Sequence, residues 1–321
     1  MITQKGDFLM TEVIKNVFNV KRKITIGMVA GEWLNANRNS VKRSTYQTYE
    51  CIICKYVINS TLDSICISAL TPAHYALFSE QLLLKGLSPK TVNDIILILN
   101  SLLKYAAKYY NVEIITAPYV KEQKKEMRVL SNAEQKLLEQ YLKNDMDNFK
   151  FGVLIALYTG VRIGELCALQ WHDIQNGTIK IDKTLHRLKA ENGKSIVVID
   201  TPKTFHSNRT IPIPMFLNSI IEGKRDDPNK YVISNEDISI VEPRLMQIKF
   251  KKMTEECDLN GVTFHTLRHT FATRCVECNF DIKSLSEILG HADVKTTLNK
   301  YVHSSMELKQ TNMNKLNKIA I

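Results

Sequence analysis

The sequence lacks any apolar stretch that approaches the length of a membrane span. Its nearest candidate, from Phe151 to Tyr158, has eight residues, whereas a transmembrane helix needs about 18. The N-terminal residues also lack the apolar core of a signal peptide. We therefore expect a protein that stays in the cytoplasm, associated with the nucleoid if its partner is DNA.

Glycine and proline are scarce, with 12 and 8 residues in a chain of 321. This scarcity excludes a collagen-like or low-complexity chain. Apolar residues make up 44% and charged residues 24%, which excludes a wholly disordered protein. The length predicts about two domains.

The cysteines do not form a disulfide framework, because there are seven of them without regular spacing. We expect reduced thiols. Two CxxC pairs, Cys51/Cys54 and Cys275/Cys278, leave a zinc site open as an alternative. Both pairs fall in segments with a helical pattern and no further ligand pair flanks either, so we predict thiols buried on helix faces and no metal.

Positive charge is in excess and lies mainly in the first part of the chain. Lysine and arginine total 43 against 33 acidic residues, a formal net charge of +10. Residues 1–125 hold 16 basic and 9 acidic residues and so contribute +7. A polyanionic partner, nucleic acid or an anionic membrane surface, would explain the excess. A protein that is merely basic and soluble would explain it equally well.

Dense helix signals predict a small all-α domain over residues 25–115, after a leader of residues 1–24. Each of four helices begins at an N-cap signal, namely Thr25, Ser44 with Gln47, Thr71-Pro72 and Ser88-Pro89. In the fourth helix, apolar residues recur at helical spacing from Val92 to Ala106 and predict its core face. Residues 116–129 then lose periodicity, accumulate basic residues and are predicted to form a linker.

A second domain is predicted over residues 130–305. It opens with a capping box at Ser131 and Glu134, and a following helix ends at Gly160. Alternation predicts strands at 177–186, 195–200 and 209–214, the first two joined by an Asn-Gly turn at 191–194. From Met215 the pattern is helical to the end, with breaks at 226–228, 260–261 and 290. The predicted fold class is therefore mainly α (α+β), a four-helix domain followed by a mostly helical domain with a small antiparallel sheet.

Three segments of this second domain concentrate ionisable residues where the pattern predicts burial, and Lys203 lies between two strands. Two arginines, in TGVRIGEL and HTLRHTFAT, match the oxygens of a phosphodiester and the charge of its transition state. A lysine or histidine can protonate a leaving 5′-oxygen, and a tyrosine becomes a nucleophile when a cationic pocket lowers its pKa. No carboxylate cluster is available for Mg²⁺, which disfavours a two-metal nuclease. The chemistry that fits is metal-free phosphoryl transfer through a tyrosyl phosphate.

The segments TGVRIGEL, HTLRHTFAT and LGHADVKTTLNKY resemble, in this order, the signature boxes of the tyrosine recombinase (phage integrase) family. The likeness covers about residues 25–305. It implies that Arg162, His265 and Arg268 bind and activate the scissile phosphate, with His265 also handling a proton. Tyr301 would attack to form a 3′-phosphotyrosine link.

The same resemblance implies three further roles. Lys203 would be the general acid for the 5′-oxygen, His291 would hydrogen-bond the phosphate, and Glu165 would support the pocket. The phosphotyrosine conserves bond energy, so no ATP, metal or other cofactor is expected. His269, beside Arg268, is expected to point elsewhere on its helix as a structural residue. The remaining histidines are expected to be ordinary surface or supporting residues: His172, His186, His206 and His303.

The resemblance also implies partners. The first domain would form half of a clamp on double-stranded DNA at core recombination sites, and four protomers would act on two sites, with a monomer in free solution. The tail, residues 306–321, would pack onto a neighbouring subunit, and an accessory DNA-bending or excision factor is a further partner. Six basic residues are candidate phosphate contacts: Arg38, Lys42, Arg43, Lys90, Lys104 and Lys108. The leader is too short for an arm-binding domain, so the protein either uses simple core sites or is a shortened form.

The leading hypothesis is a recombinase that integrates and excises a mobile element. A resolvase of chromosome or plasmid dimers and a type IB topoisomerase share the same chemistry. A non-catalytic DNA-binding regulator is the alternative from another class, because residues 281–301 loosely resemble a helix-turn-helix. In that case Arg162 would simply pair with Glu165, three residues on. A membrane-surface protein lacks the amphipathic helix that it would need.

Overall fold

The computed structural model describes residues 24–113, 115–123, 126–189, 195–200, 208–234 and 238–301, together with residues 310, 313 and 314. The chain divides into two compact units, residues 1–125 and 126–321. In the part of the chain that is described, no helix is long and apolar enough to cross a membrane.

The described part of the first unit consists of four α-helices and short connections. They are α1 (Ile26–Asn37), α2 (Arg43–Ile52), α3 (Pro72–Leu84) and α4 (Pro89–Tyr110). Thr25, Thr71 and Ser88 are the N-cap residues of α1, α3 and α4, as predicted. The capping box at Ser44 is wrong, because Lys42 is the N-cap residue and Ser44 lies within the first turn of α2.

Helix α4 carries the core of this unit, and the apolar residues from Val92 to Ala106 are buried as predicted. Two asparagines of α4 also hold the chain that follows it. Asn100 bonds both the backbone N–H and the carbonyl of Ala117, at 2.8 and 3.0 Å. Asn93 bonds Val120 in the same way, at 2.7 and 2.9 Å. The first residues of the predicted linker are therefore attached to α4.

The second unit begins with three helices, α5 (Asn132–Lys143), α6 (Asn148–Thr159) and α7 (Ile163–Ala168). The predicted capping box of Ser131 and Glu134 opens α5. Helix α6 is buried almost all round, and it forms the centre of the main hydrophobic core. Its C-terminal end therefore holds the residues that follow it in a fixed position.

Two small antiparallel sheets follow. Strands β1 (Ile174–Gln175), β2 (Thr178–Ile181) and β5 (Arg209–Pro212) form one sheet, and β3 (Thr184–Lys189) pairs with β4 (Ser195–Asp200) in the other. The single strand predicted at 177–186 is wrong. The chain breaks at Asp182–Lys183, where the Lys183 ammonium lies 2.9 Å from the buried carboxylate of Asp173. The predicted turn at 191–194 lies outside the described residues.

Five helices complete the described part of this unit: α8 (Met215–Glu222), α9 (Pro243–Glu256), α10 (Phe264–Glu277), α11 (Ile282–Leu289) and α12 (Val294–Tyr301). The predicted break at 226–228 is confirmed, but the prediction of helix in the remaining described residues between α8 and α9 is wrong. That segment instead bonds an earlier part of the chain, with Trp171 N–H donating to the Lys230 carbonyl at 3.1 Å and Val232 N–H donating to Leu169 at 2.9 Å.

The CxxC thiols are free, but most of them are not buried. Cys51, Cys54 and Cys278 are exposed, and Cys275 is buried. The prediction of buried thiols is therefore wrong for the three exposed residues, since Cys54 and Cys278 lie beyond the last turns of α2 and α10 and Cys51 is on the solvent side of α2. Among the described residues, no group of three or more His, Cys, Asp or Glu side chains could hold a metal ion.

Candidate active site

The end of α6 positions Arg162. Gly160 follows α6 with a φ of 65°, in the left-handed region. A β-carbon at Gly160 would lie 2.5 Å from a ring carbon of Phe271, so the turn requires glycine. Arg162 is then the N-cap residue of α7.

Arg162 forms a local ion pair with Glu165. Its Nη1 donates to Oε1 of Glu165 at 2.7 Å, and its backbone N–H donates to Oε2 at 2.9 Å. The Glu165 side chain is 3% exposed and that of Arg162 is 37% exposed. The pairing that a non-catalytic interpretation requires is thus present. It leaves part of the guanidinium open to solvent, where an anion could bind.

Three arginines bind consecutive backbone carbonyls at the end of α11. The bonds run from Arg209 Nε to Ile288 at 2.6 Å, from Arg268 Nη2 to Leu289 at 2.6 Å and from Arg162 Nη2 to Gly290 at 3.3 Å. The last carbonyls of a helix have no partners within it and carry partial negative charge, so cations stabilise this end. Both predicted phosphate arginines are thereby held against one turn, directly before His291.

Arg209 completes this arrangement, although the sequence pattern predicts only that it begins a strand. Its Nη2 lies 2.8 Å from Oε2 of Glu165, and the two side chains are 5% and 3% exposed. Burial opposes ionisation of Glu165, but the hydrogen bond and charge of Arg209 and the charge of Arg162 lower its pKa to about 2. Glu165 therefore stays ionised and joins the two arginines. The sequence signal was a basic residue at an inward position of a short apolar strand.

Arg268 is 2% exposed and projects from α10 into the protein. Its Nη1 donates to the carbonyl of Gly160 at 2.8 Å. Burial and the nearby charge of Arg162 lower the pKa of Arg268 to about 9, so the guanidinium remains charged at neutral pH. The structure thus brings Arg162 and Arg268 to adjacent carbonyls of one turn.

Tyr301 is the last residue of α12, and it is 6% exposed. Its hydroxyl lies 2.8 Å from Nδ1 of His269. The ring of His291 lies parallel to the tyrosine ring, with 6.4 Å between their centres. The prediction that His269 points elsewhere is wrong, because α12 packs on the side of α10 that carries His269.

The expectation that a cationic pocket lowers the pKa of Tyr301 is also wrong for the protein without DNA. Burial raises the pKa of Tyr301, and this effect outweighs the charges of Arg268 and Arg162, which act to lower it. The hydroxyl is therefore protonated at neutral pH. Any attack by Tyr301 requires that its proton be taken up by another group.

His291 and His265 lie beside the arginines as neutral imidazoles. Nδ1 of His291 is 2.8 Å from Oγ1 of Thr297, and burial and the charge of Arg268 lower the pKa of His291 to about 4. His265 is on the exposed rim, 4.4 Å from His269 between ring centres. Partial desolvation and Arg268 lower the pKa of His265 as well. At neutral pH each imidazole can donate one N–H bond.

A cavity of about 530 Å³ opens beside the two phosphate arginines. Arg162, Arg268 and His265 line one side of it, and Arg244 and Lys251 of α9 line another. None of the described residues that line it is acidic. A cavity with this charge suits the phosphate backbone of a nucleic acid.

Some predicted residues lie outside the described part of the chain. They are Lys203, His206, His303 and most of the tail, residues 306–321. His172 and His186 are described, and each lies near an acidic side chain: His172 beside Asp173 in the turn before β1, and His186 of β3 beside Asp200 of β4. All six candidate DNA contacts of the first unit are exposed: Arg38, Lys42, Arg43, Lys90, Lys104 and Lys108.

Sequence comparison places this site in a known family. The sequence model of the Phage integrase family matches residues 128–307, more than half of the chain. A XerC-like tyrosine recombinase of Caldanaerobacter subterraneus is 27% identical over 96% of this chain and 87% of its own length. The ICEBs1 integrase of Bacillus subtilis is 28% identical over 82% of this chain and 74% of its own.

Solved structures show the same fold. A Tn1549 transposon integrase in complex with circular intermediate DNA superposes with a TM-score of 0.78 at 21% identity, covering 91% of this chain and 99% of that one. A lambda integrase dimer bound to a core site superposes with a TM-score of 0.68 at 15% identity, covering 88% of this chain and 97% of that one. With the match over the catalytic boxes, the chain belongs to the phage integrase family of tyrosine recombinases, enzymes that cleave and rejoin DNA strands.

Proposed function

We propose that this protein is a site-specific recombinase that integrates and excises a mobile genetic element, a phage or a conjugative transposon. Tyr301 attacks a phosphodiester and forms a 3′-phosphotyrosine bond, and a free 5′-hydroxyl then attacks that bond to rejoin the strands. The similarity to the ICEBs1 integrase and to the transposase of Tn916 supports the mobile-element role. The site of action is then the DNA of the nucleoid, in the cytoplasm.

The observation that carries this proposal is the convergence of two guanidiniums and a tyrosine. Arg268 and Arg162 bind the carbonyls of Leu289 and Gly290, and the ring of the next residue, His291, faces Tyr301. Guanidiniums match the two non-bridging oxygens of a phosphodiester. Donors that are fixed in advance in this way are worth about 10²–10³-fold in rate each.

The remaining groups have supporting roles in the proposal. His291 and His265, both neutral, donate hydrogen bonds to the phosphate, and Glu165 holds Arg162 in position. Lys203 gives its proton to the 5′-oxygen as that oxygen leaves, which is the role that the family resemblance implies. Lys183, another lysine of the strand region, is a poor substitute, because its ammonium is paired with Asp173 at 2.9 Å.

The proposed substrate is double-stranded DNA, bound by both units. The first unit, through the six candidate basic residues that are exposed on it, contributes phosphate contacts outside the catalytic cavity. Four protomers on two DNA sites form the proposed working assembly, as in the lambda integrase tetramer bound to a Holliday junction. In this proposal residues 306–321 contact a neighbouring protomer.

Resolution of chromosome or plasmid dimers is a second candidate, because the XerC-like recombinase aligns with 96% of this chain. Both roles use the same bond chemistry and differ in the DNA that is cut. Cleavage at the ends of the DNA element that carries the gene supports integration. Cleavage at a single chromosomal or plasmid site elsewhere supports resolution.

Covalent trapping tests the proposed function. Nicked duplexes tiled across the DNA on both sides of the gene are incubated with wild type, Tyr301→Phe and Arg268→Ala. We expect wild type to give an adduct that survives a denaturing gel, Tyr301→Phe to bind without an adduct, and Arg268→Ala to cleave at least about 10²-fold more slowly. An adduct with Tyr301→Phe would contradict the proposal. Specific binding by wild type without any adduct would favour the regulator.

A further inference from the structure

The Tyr301 hydroxyl has a hydrogen-bond partner that the proposed roles leave unused. Nδ1 of His269 lies 2.8 Å from it. The imidazole is half-buried and packs edge-to-face against His265, with 4.4 Å between ring centres. A neutral imidazole with its proton on Nε2 accepts the phenol O–H at Nδ1. The nucleophile is therefore already directed at a proton acceptor.

We propose that His269 is the general base that takes the proton of Tyr301 during strand cleavage. This inference rests on the proposed function, in which Tyr301 is the nucleophile. The phenol proton passes to Nδ1 as the bond between Oη and phosphorus forms. The bond from phosphorus to the 5′-oxygen breaks, and that oxygen takes a proton from the general acid, which the proposal assigns to Lys203.

The other two histidines of the site are less suited to this step. Nδ1 of His291 is engaged with Thr297 at 2.8 Å, and its ring stands 6.4 Å from the tyrosine ring, centre to centre. His265 is exposed and contacts the ring of His269. Geometry is the first requirement for a general base, and the contact of His269 with Oη meets it.

The surroundings of His269 keep it unprotonated before the reaction. Among the described residues, the charged and titratable groups that act on it are His265 and Arg268 of α10 and Lys300 of α12, and its hydrogen-bond partner is Tyr301 of α12. His291 lies beside the ring of Tyr301. Burial, followed by the effects of His265, Lys300 and Arg268, lowers the pKa of His269 to about 4. A phosphodiester anion bound beside it favours the imidazolium. The base thus gains strength when the substrate is in place.

The proposal extends to rejoining. When a 5′-hydroxyl attacks the phosphotyrosine, Tyr301 is the leaving group and needs a proton. By microscopic reversibility, the imidazolium of His269 returns the proton that it took in cleavage. Cleavage and rejoining should therefore depend on His269 to a similar degree.

Two substitutions separate proton transfer from positioning. His269→Asn places an amide oxygen near the position of Nδ1, so it can accept the hydrogen bond without taking the proton. His269→Ala removes both functions. His172→Asn, on the surface of the same unit, is the matched control. Adduct formation is measured in single turnover at saturating protein, from about pH 5 to about pH 9, on the nicked duplex that wild type attacks.

We expect both His269 variants to cleave and rejoin about 10²–10⁴-fold more slowly at neutral pH, with DNA affinity unchanged. The rates of the variants should rise about tenfold per pH unit, because hydroxide must then remove the proton of Tyr301. The rate of wild type should instead become independent of pH at a plateau. A duplex with sulfur in place of the leaving 5′-oxygen needs no general acid. It should restore the rate of Lys203→Ala and leave the His269 variants slow.

Three results would overturn the role of His269. Wild-type rate and pH profile in His269→Asn would show that the residue only positions Tyr301. Restoration of the His269 variants by the sulfur-containing duplex would place His269 on the leaving-group side. Wild type without any adduct would overturn the proposed function and this role together, whereas a defect confined to His269 variants concerns His269 alone.

Discussion

At the scale of residues, the site is built from buried charges that neutralise one another. Glu165 lies between Arg162 and Arg209 and accepts hydrogen bonds from both. An isolated buried carboxylate would be costly, and the two guanidiniums offset that cost. Because Arg209 and Arg162 also bind carbonyls at the end of α11, the pairing fixes the turn that carries His291. Charge pairing and catalytic geometry therefore depend on the same residues.

Removal of Arg209 should lower the free energy of unfolding, although Arg209 does not touch the proposed nucleophile. Arg209→Ala leaves Glu165 buried with one partner fewer, and we expect a loss of about 3 kcal/mol in the free energy of unfolding. Lys90→Ala is the control, because its pairing with Asp94 is solvent-exposed and is worth at most about 1 kcal/mol. Urea unfolding measures both. Equal losses of unfolding free energy in the two variants would show that the buried ion pair stabilises the protein no more than an exposed one.

Protonation should destabilise the protein on the acid side of neutrality. The pKa values of His269 and His291 lie at about 4, below the ordinary 6.5, and that of Glu165 lies at about 2, below the ordinary 4.5. The unfolded chain therefore binds more protons than the folded protein as pH falls. Stability is complete above about pH 6.5 and is lost progressively toward about pH 4, with a further loss below pH 4.5 from Glu165.

Urea unfolding at about pH 7.5 and about pH 5 checks this prediction. The combined variant His269→Phe/His291→Phe should lose much of the pH dependence in this window, because two of the three histidines of the site whose pKa is lowered are gone. A wild-type free energy of unfolding that stays constant between the two pH values would contradict the assigned pKa directions.

Sequence motifs located Arg162, Arg268 and Tyr301, and the structure brings the three together. His269 and Arg209 could not be predicted in the same way. The contact of His269 depends on how α12 packs against α10, and that of Arg209 depends on a strand reaching the end of a distant helix. Both are tertiary contacts, between residues 32 and 79 positions apart in sequence, which local patterns do not encode.

At the scale of elements, short-range signals predicted the starts of four helices. Thr25, Thr71, Ser88 and Ser131 each cap a helix as expected, because a cap depends on a few neighbouring residues. The strand predicted at 177–186 was wrong because alternation continues across the break at Asp182–Lys183. The partner that holds that break, Asp173, was not visible from the pattern.

Gly160 is the element boundary on which the site depends most. Gly160→Ala forces a left-handed alanine and places its β-carbon 2.5 Å from Phe271. Gly177→Ala is the matched control, because φ of Gly177 is 68° and no atom of the described residues lies within 4 Å of the added β-carbon. We expect about 1–3 kcal/mol of destabilisation from the backbone in both variants and an added loss in Gly160→Ala. Equal unfolding free energies would contradict the steric argument.

At the scale of the whole molecule, the chain that joins the two units is attached at both described ends. Asn100 and Asn93 hold Ala117 and Val120 on the first unit. Leu130 N–H donates to Oγ1 of Thr270 in the second unit, at 3.0 Å. The positive excess of the first 125 residues thus belongs to a unit with its own core. The composition of these residues shows the excess directly, and in the proposed DNA clamp this positive charge binds phosphates.

DNA binding should weaken steeply with salt if basic residues of both units contact phosphates. Each contact releases a counterion, so six contacts would lower the affinity about 10³-fold between ~50 and ~200 mM salt. Lys104→Ala and Lys108→Ala should each reduce the slope of log affinity against log salt by about 1. Fluorescence anisotropy with a labelled duplex measures the slope. A flat response would contradict a clamp on the backbone.

The identity of the nucleophile is the central claim, and peptide mapping of the trapped adduct tests it most directly. The adduct is digested with protease and nuclease, and tandem mass spectrometry locates the residue that carries the nucleotide. The chain has 12 tyrosines, and we predict modification of Tyr301 alone, through a 3′-phosphate. A nucleotide on any other residue, or a link through a 5′-phosphate, would contradict the account.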